Sequence, residues 1–299
     1  MQSIKPNSSQ NYIAFFLTLS CNLRCPYCIN LHRSSNRGKQ ARREHLSAEE
    51  WIKAANRLVL RDDLPLTLQG GEPTLHKGFY RFVKEVDRRI KMDLLTNMSF
   101  DEDEFIKHVP VWRFTREAPY AAIRVSYHPG QNNIEELLKK TKKLQDAGFR
   151  IGLYSVLHPD PQKKQHIEEV KDRCQGQGID FRFKEFLGEH NGELHGTFRY
   201  ADSVLGASLK TCECKTTEII VDPVGYVYRC HADLYNGRNH IAHILEENFT
   251  EASLDSFREC SFFGDCNPCD VKVKTNRMQI FGHTSVEIRN IGKENSVVR

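Results

Sequence analysis

Short apolar runs alternate with helix-length segments from residue 13 to about residue 187, and this alternation constrains the fold more than any other feature of the chain. The predicted strands are residues 13–19, 64–69, 92–96, 122–127, 150–157 and 180–187. Strands that are almost continuously apolar and are separated by helices usually pair in parallel, with the helices covering the sheet. The sequence therefore predicts an α/β fold built on a parallel sheet.

The segments between these strands carry helix signals. Ser47 and Glu50 form a predicted capping box, in which each side chain accepts from the other's backbone N–H. A one-face apolar pattern over residues 134–144 is closed by Gly148, a typical residue after a helix end. A further helix is predicted over residues 162–175. These signals place helices after the first, fourth and fifth strands.

The composition is that of an ordinary globular protein. The 299 residues suffice for one large domain, or one large and one small, and 39% are hydrophobic and 27% charged. No apolar run reaches the roughly 18 residues that a membrane helix needs, and residues 1–11 lack the apolar core of a signal peptide. We expect a cytoplasmic protein with no membrane partner. The net charge of +4 gives no reason to expect nucleic acid as a partner.

Cysteine is frequent and unevenly placed. Of ten cysteines, three lie in residues 21–28, six lie in residues 212–269, and Cys174 stands alone on a predicted helix as a structural residue. In a reducing compartment, clustered cysteines indicate metal sites rather than disulfides.

Cys21, Cys25 and Cys28 come directly after the first predicted strand. A cubane of four irons bound by three cysteines leaves one iron open to a small molecule. Two alternatives use the same residues. A zinc ion could be bound with a histidine such as His32 as fourth ligand, or the thiols could be free and buried.

The spacing Cys-x3-Cys-x2-Cys, with Tyr27 before the last cysteine, resembles the signature of the radical S-adenosylmethionine (SAM) superfamily. The resemblance implies that a [4Fe–4S] cluster binds SAM through its open iron. It also implies that an electron from a low-potential reductant, such as flavodoxin or ferredoxin, releases a 5′-deoxyadenosyl radical. Thiolate-bound clusters reach the low potentials that this step requires.

Gly70, Gly71 and Glu72 follow the second predicted strand and resemble the Gly-Gly-Glu element of the same superfamily. The resemblance implies a contact with the SAM amino group, for which a carboxylate is a suitable partner. Asn97 and Ser126, near the ends of the third and fourth strands, are weaker candidates for SAM contacts. All these residues follow strands, and the sites of parallel barrels lie at the carboxyl ends of strands.

The same resemblance implies a partial (β/α)6 TIM barrel followed by a small cysteine-rich twitch-type α+β domain. The predicted organisation is a polar N-terminal segment at 1–12, the radical SAM partial barrel at 13–187, a linker at 188–211, an auxiliary-cluster domain at 212–285 and a tail at 286–299.

Beyond the linker, a hairpin of residues 218–221 and 226–228 is predicted between cysteines. The element Cys212…Gly225-x4-Cys230 resembles the opening of SPASM and twitch domains, which bind auxiliary [4Fe–4S] clusters. The resemblance implies a second [4Fe–4S] cluster held by Cys212, Cys230, Cys266 and Cys269. The one-cluster twitch form is favoured because the longer terminal cysteine run of SPASM domains is missing.

Three hypotheses remain open for the other C-terminal cysteines. Cys214 or Cys260 could replace one of the four ligands, could donate a hydrogen atom to a substrate radical as in epimerases of the superfamily, or could be a buried spare thiol. A structural zinc ribbon is the alternative for the whole group. A helix of one to two turns is predicted near residues 254–258.

The predicted function is a radical SAM enzyme of the oxidoreductase or epimerase type. Its substrate would be small and polar, such as a sugar or nucleotide-linked sugar, because the barrel begins at residue 13 without an added leader-binding domain. A basic run favours a phosphorylated substrate, since arginine binds phosphate well; its alternative is a solvated loop. The run contains Arg33, Arg37, Lys39, Arg42 and Arg43.

Two other function classes are kept. One is post-translational modification of a peptide or protein, as in maturases of ribosomal peptides and of sulfatases. The other is a non-catalytic iron–sulfur scaffold or electron carrier.

Overall fold

A computed structural model of the chain describes residues 2–28, 44–204, 206, 209–274 and 282–291. The basic run at residues 33–43 and His32 lie outside the described residues. Within the described ranges no helix has the length and apolar character needed to cross a membrane.

Six parallel strands form the centre of the fold in chain order, each paired with the next. They are β1 (Tyr12–Thr18), β2 (Leu66–Gly70), β3 (Met92–Thr96), β4 (Ile123–Tyr127), β5 (Ile151–Leu157) and β6 (Asp180–Glu185). The helices that connect them are α1 (Ala48–Asn56), α2 (Phe79–Glu85), α3 (Glu102–His108), α4 (Ile134–Asp146) and α5 (Pro161–Gly176). The α/β fold with a parallel central sheet is thus confirmed.

The predicted strands are all present, with ends shifted by at most two residues. The capping box is confirmed as well: Ser47 N donates to Glu50 Oε2 at 2.8 Å, and Glu50 N donates to Ser47 Oγ at 3.2 Å. Cys174 lies buried on α5.

The C-terminal part extends the same sheet. Strand β10 (Glu218–Val221) pairs in parallel with β1, on the edge of β1 opposite to β2, and two antiparallel strands continue the sheet to nine strands. These are β11 (Tyr226–Tyr228) and β12 (His240–His243). The carboxyl end of β1, where Cys21 follows, therefore lies between β2 and the C-terminal hairpin.

Two smaller sheets complete the described fold. The first has the order β13 (Arg258–Phe263), β9 (Lys210–Thr216) and β14 (Val286–Arg289). The second is a hairpin of β7 (Gly188–His190) and β8 (Glu193–His195), in the segment predicted as a linker. Two short helices, α6 (His231–Asn236) and α7 (Pro268–Val271), lie beside the cysteines of this part.

The helix predicted near residues 254–258 is wrong. A single 3-10 turn covers Glu251–Leu254, and β13 then begins at Arg258. The physical reason is pairing with β9: the extended backbone buries Cys260 and Phe263 against that strand, which a helix could not do.

The main core lies between the central sheet and the helices. Phe15 of β1 packs on Trp51 of α1 with ring centroids 4.8 Å apart, and both are fully buried. A separate core contains Tyr200, Val271 and Ile288 together with Cys212, Cys214 and Cys260. Cys212, Cys214 and Cys260 therefore lie in an apolar cluster apart from the main core.

Candidate active site

Cys21, Cys25 and Cys28 lie in the loop that leaves the carboxyl end of β1. Cys28 N donates to the Cys25 carbonyl at 3.1 Å, which closes a tight turn between two of the thiols. Burial, together with the neighbouring thiols of Cys28 and Cys21, raises the pKa of Cys25 to about 11. Thiolates so crowded need a cation to remain charged, so the donor set fits a metal cluster.

Gly70 and Gly71 bring the end of β2 against this loop. A Cβ on Gly70 would lie 2.1 Å from the Thr18 carbonyl oxygen, and one on Gly71 would lie 2.1 Å from that of Ser20. Gly71 N donates to the Thr18 carbonyl at 2.9 Å. Only glycine permits this approach, which places the Gly-Gly motif beside the start of the cysteine loop.

Glu72 lies behind the chamber wall rather than on it. Its side chain is fully buried and is not among the residues that line the chamber described below. The carboxylate accepts from Thr96 Oγ1 at 2.8 Å, from Asn97 N at 2.7 Å and from Thr74 Oγ1 at 2.7 Å. Burial raises its pKa, and these hydrogen bonds oppose the rise. A direct contact with SAM stays a prediction, and the observed contacts give Glu72 a positioning role between β2 and β3.

The other predicted SAM contacts surround the cysteine loop. Asn97 Nδ2 lies 2.9 Å from Asn22 Oδ1 and 3.6 Å from Cys21 Sγ. Tyr27 Oη and His128 Nδ1 are 3.1 Å apart, and burial lowers the pKa of His128 to about 4. Ser126 also faces this space, since it lines the same chamber.

A chamber of about 460 Å³ opens at the carboxyl ends of the strands. One wall carries most of the predicted residues, namely Cys21, Cys25, Tyr27, Cys28, Gly70, Gly71, Asn97 and Ser126. The rest of the lining includes residues that sequence reasoning missed, namely Arg124, Tyr154, Arg182, Lys184, His231, Tyr235, Lys272 and Lys274. The alternation of apolar and basic residues along β6 is the sequence signal that could have identified Arg182 and Lys184.

His231 and Asp270 join α6 to α7 at the chamber wall. The Asp270 carboxylate is buried and accepts from His231 N at 2.8 Å and from Ala232 N at 3.0 Å. It also lies 2.8 Å from His231 Nδ1. This carboxylate fixes the orientation of an imidazole that lines the chamber.

The structure gathers the C-terminal cysteines differently from the predicted set of four. The sulfurs of Cys212, Cys214 and Cys260 all lie within 4.8 Å of one another, and all three residues are buried. Hydrogen bonds from the thiols of Cys212 and Cys214 lower the pKa of Cys260 well below its usual range. Cys214 and Cys260 are also absent from the chamber lining, so the described wall does not include either predicted hydrogen-donor thiol.

The remaining predicted ligands lie nearby. Cys230 precedes α6 and accepts from Asp233 N at 3.4 Å, and Cys266 packs against the same cluster as the three thiols. Cys269 lines the chamber that also contains Cys28. A second cluster on Cys212, Cys230, Cys266 and Cys269 therefore stays a prediction.

The sequence is similar to a family model and to proteins of known activity. Residues 15–174 match the sequence model of the Radical SAM superfamily. A GTP 3′,8-cyclase of Actinobacillus succinogenes is 26% identical over 206 residues, covering 63% of this chain and 56% of that protein. A PqqA peptide cyclase of Bradyrhizobium diazoefficiens is 33% identical over 82 residues, covering 27% of this chain and 20% of that protein. The chain thus matches little more than half the length of the cyclase.

The fold is also similar to a solved structure. anSMEcpe with bound AdoMet and Cp18Cys peptide superposes with a TM-score of 0.54 at 14% identity, covering 94% of this chain and 93% of that one.

Proposed function

The chain belongs to the radical SAM superfamily, and from that premise we propose that it modifies a peptide or protein by abstracting hydrogen from one of its side chains. The superfamily uses a [4Fe–4S] cluster and SAM, which when bound supply the abstracting radical. Cys21, Cys25 and Cys28 are the residues that fit the cluster. Gly70, Gly71 and Asn97 border the adjoining space, where SAM would bind.

The observation that carries the proposal is the size of the chamber. Sites for drug-sized ligands have volumes of about 300–1,000 Å³, and the chamber of about 460 Å³ lies in the lower half of that range, so SAM would occupy much of it. A substrate would then enter with a small part of its structure, as a peptide does when it presents one side chain. The fold accommodates AdoMet and a peptide together in anSMEcpe, and the sequence similarity to a PqqA peptide cyclase supports the same substrate class.

A phosphorylated small molecule is the second candidate. Five basic residues on the described chamber lining favour it: Arg124, Arg182, Lys184, Lys272 and Lys274. The similarity to a GTP 3′,8-cyclase supports a nucleotide in particular. The relatives named above fit peptide modification better than oxidation or epimerisation of a sugar. Cys214 and Cys260, the predicted hydrogen donors of an epimerase, lie outside the described chamber lining.

The finer architecture is also part of the proposal. We propose that β1 to β6 form a partial barrel within residues 13–187 and that residues 212–285 form a twitch-type unit with a second metal centre. A low-potential reductant, of the flavodoxin or ferredoxin kind, would deliver the electron.

The test is substrate-dependent formation of 5′-deoxyadenosine. Protein loaded with iron and sulfide under anaerobic conditions is given SAM and dithionite, with either a deuterated peptide library or deuterated GTP. We expect deuterium to appear in 5′-deoxyadenosine with peptides, and Cys25→Ala to form none. Transfer from GTP alone would establish the second candidate. No 5′-deoxyadenosine from a fully loaded protein would instead indicate the iron–sulfur scaffold.

A further inference from the structure

Three buried thiols face one another between β9 and β13. Cys212 and Cys214 lie two residues apart on β9, so their side chains point to the same face of that strand. Cys260 of β13 is the direct antiparallel partner of Cys212. The sulfurs of Cys212 and Cys214 are 3.5 Å apart, and all three sulfurs lie within 4.8 Å.

The 3.5 Å between the sulfurs of Cys212 and Cys214 is close to the spacing of ligands around a common metal, and the Cys260 sulfur lies near enough to join them. A tetrahedral ion with metal–sulfur bonds of about 2.3 Å separates its sulfurs by about 3.8 Å. Three uncharged thiols would not need such proximity in an apolar cluster, where aliphatic side chains would pack as well. No disulfide links any of the three cysteines.

A buried cation faces the same thiols. Arg229 is 4% exposed, and its Nε has no hydrogen-bond acceptor among the described residues. Its other nitrogens donate to the Glu259 carbonyl at 2.8 Å and to Asp233 Oδ2 at 2.7 Å. The guanidinium interacts electrostatically with Cys230, Cys260 and Cys214. Thiolates at metal sites accept hydrogen bonds, and the Nε–H of Arg229 is a buried donor that could serve them.

Cys266 is a candidate fourth ligand. Like Cys230, it packs against the apolar cluster that contains the three thiols, and its electrostatic partners include Cys260 and Cys212. Its backbone N donates to the Ser203 carbonyl at 3.0 Å, which fixes its position. Cys269, three residues on, lines the chamber instead.

We propose that Cys212, Cys214 and Cys260 are three thiolate ligands of one thiophilic metal centre, either a zinc ion or an iron–sulfur cluster. The proposal refines the second metal centre of the proposed function. It assigns ligand roles to two cysteines that the twitch-type set leaves out. Metal binding at these thiols does not depend on the radical reaction.

The experiment measures zinc, iron and sulfide per chain in the full-length protein, purified and reconstituted without oxygen. Cys214→Ala and Cys260→Ala are compared with Cys269→Ala and with Cys174→Ala, the matched control at a lone buried cysteine. Cys25→Ala reports separately on the N-terminal cluster. We expect Cys214→Ala and Cys260→Ala each to lose the metal of the C-terminal centre. Cys25→Ala, Cys269→Ala and Cys174→Ala should each keep that metal.

Zinc lost without iron identifies a single ion, and iron lost with sulfide identifies a cluster; either result supports the ligand assignment. The proposal is overturned if Cys214→Ala and Cys260→Ala both retain the full metal content of the wild type. If either variant does not fold, Cys214→Val and Cys260→Val remove the ligand with an apolar side chain that suits the cluster. A chain that forms no 5′-deoxyadenosine but shows the expected metal losses would refute the proposed function and leave this assignment intact.

Discussion

At the scale of single residues, the site depends on a buried carboxylate that does not face the chamber. Glu72 receives hydrogen bonds from Thr74, Thr96 and Asn97, and through Asn97 it fixes a side chain that reaches toward Cys21. The Gly-Gly-Glu motif thus combines two glycines that permit a close backbone approach with one acceptor that joins neighbouring strand ends.

Glu72→Gln tests this role. The amide keeps the shape but turns one acceptor into a donor that faces a backbone donor, either Asn97 N or Thr74 N, and so leaves a buried N–H unsatisfied. We expect a loss of about 1–3 kcal/mol in the free energy of unfolding, measured by urea denaturation, together with slower SAM cleavage. Glu49→Gln, at an exposed position on α1, should cost only a few tenths of a kcal/mol. Equal losses in the two variants would contradict the role.

His128 makes stability depend on pH. Burial lowers its pKa to about 4 in the folded chain, against about 6.5 when unfolded. As the pH falls, the unfolded chain takes up a proton at this imidazole before the folded chain does. The free energy of unfolding is therefore fully retained above pH 6.5 and decreases as the pH falls toward 4. Between pH 7 and pH 5 the wild type should lose up to about 2 kcal/mol that His128→Gln does not lose. Urea midpoints at both pH values measure the difference, and parallel losses would rule out His128 as its source.

At the scale of elements, the backbone at the end of β2 packs directly against the backbone at the end of β1. Strand prediction succeeded because each central strand is an apolar run of the right length between polar segments. It failed near residues 254–258, where pairing of β13 with β9 outweighs the local helical signal. Such pairing joins residues far apart in the chain, so a local pattern does not contain it.

Gly71→Ala tests the junction of β1 and β2. The added methyl would lie 2.1 Å from the Ser20 carbonyl oxygen, so the loop that carries Cys21 must move. We expect at least a tenfold loss in 5′-deoxyadenosine formation and reduced iron loading. Gly176→Ala is the control because nothing lies within 4 Å of a Cβ there. Normal iron loading in Gly71→Ala would show that the close approach is not needed.

At the scale of the whole molecule, the cysteine-rich part contributes strands to the central sheet. Strand β10 pairs with β1 over Tyr12 to Phe15, and α6 and α7 supply His231 and Cys269 to the chamber. The motifs predicted the N-terminal half of the site, because three cysteines and a Gly-Gly-Glu element are local in sequence. The opposite wall depends on the path of the chain between residues 182 and 274, which no local spacing encodes.

Removal of residues 212–299 tests this integration. The truncated chain loses β10, which exposes the edge of β1. Ala14 and Phe16 of β1, buried in the full chain, also lose packing partners such as Ile220. Exposed strand edges promote aggregation. We expect residues 1–211 to elute as aggregates in size-exclusion chromatography, whereas the full chain, prepared in parallel, does not. A monomeric, iron-loaded fragment would show instead that the first 211 residues fold independently.

The Asp270 carboxylate has a consequence for assembly of the enzyme. Asp270 follows Cys269 in sequence, and His231 follows Cys230. The Asp270 carboxylate accepts from the backbone N–H groups of His231 and Ala232 and contacts the His231 imidazole. Assembly of the chamber wall therefore depends on this one side chain. Its loss would free both the imidazole that lines the chamber and the first backbone amides of α6, so a substitution outside the lining would change the approach of a ligand.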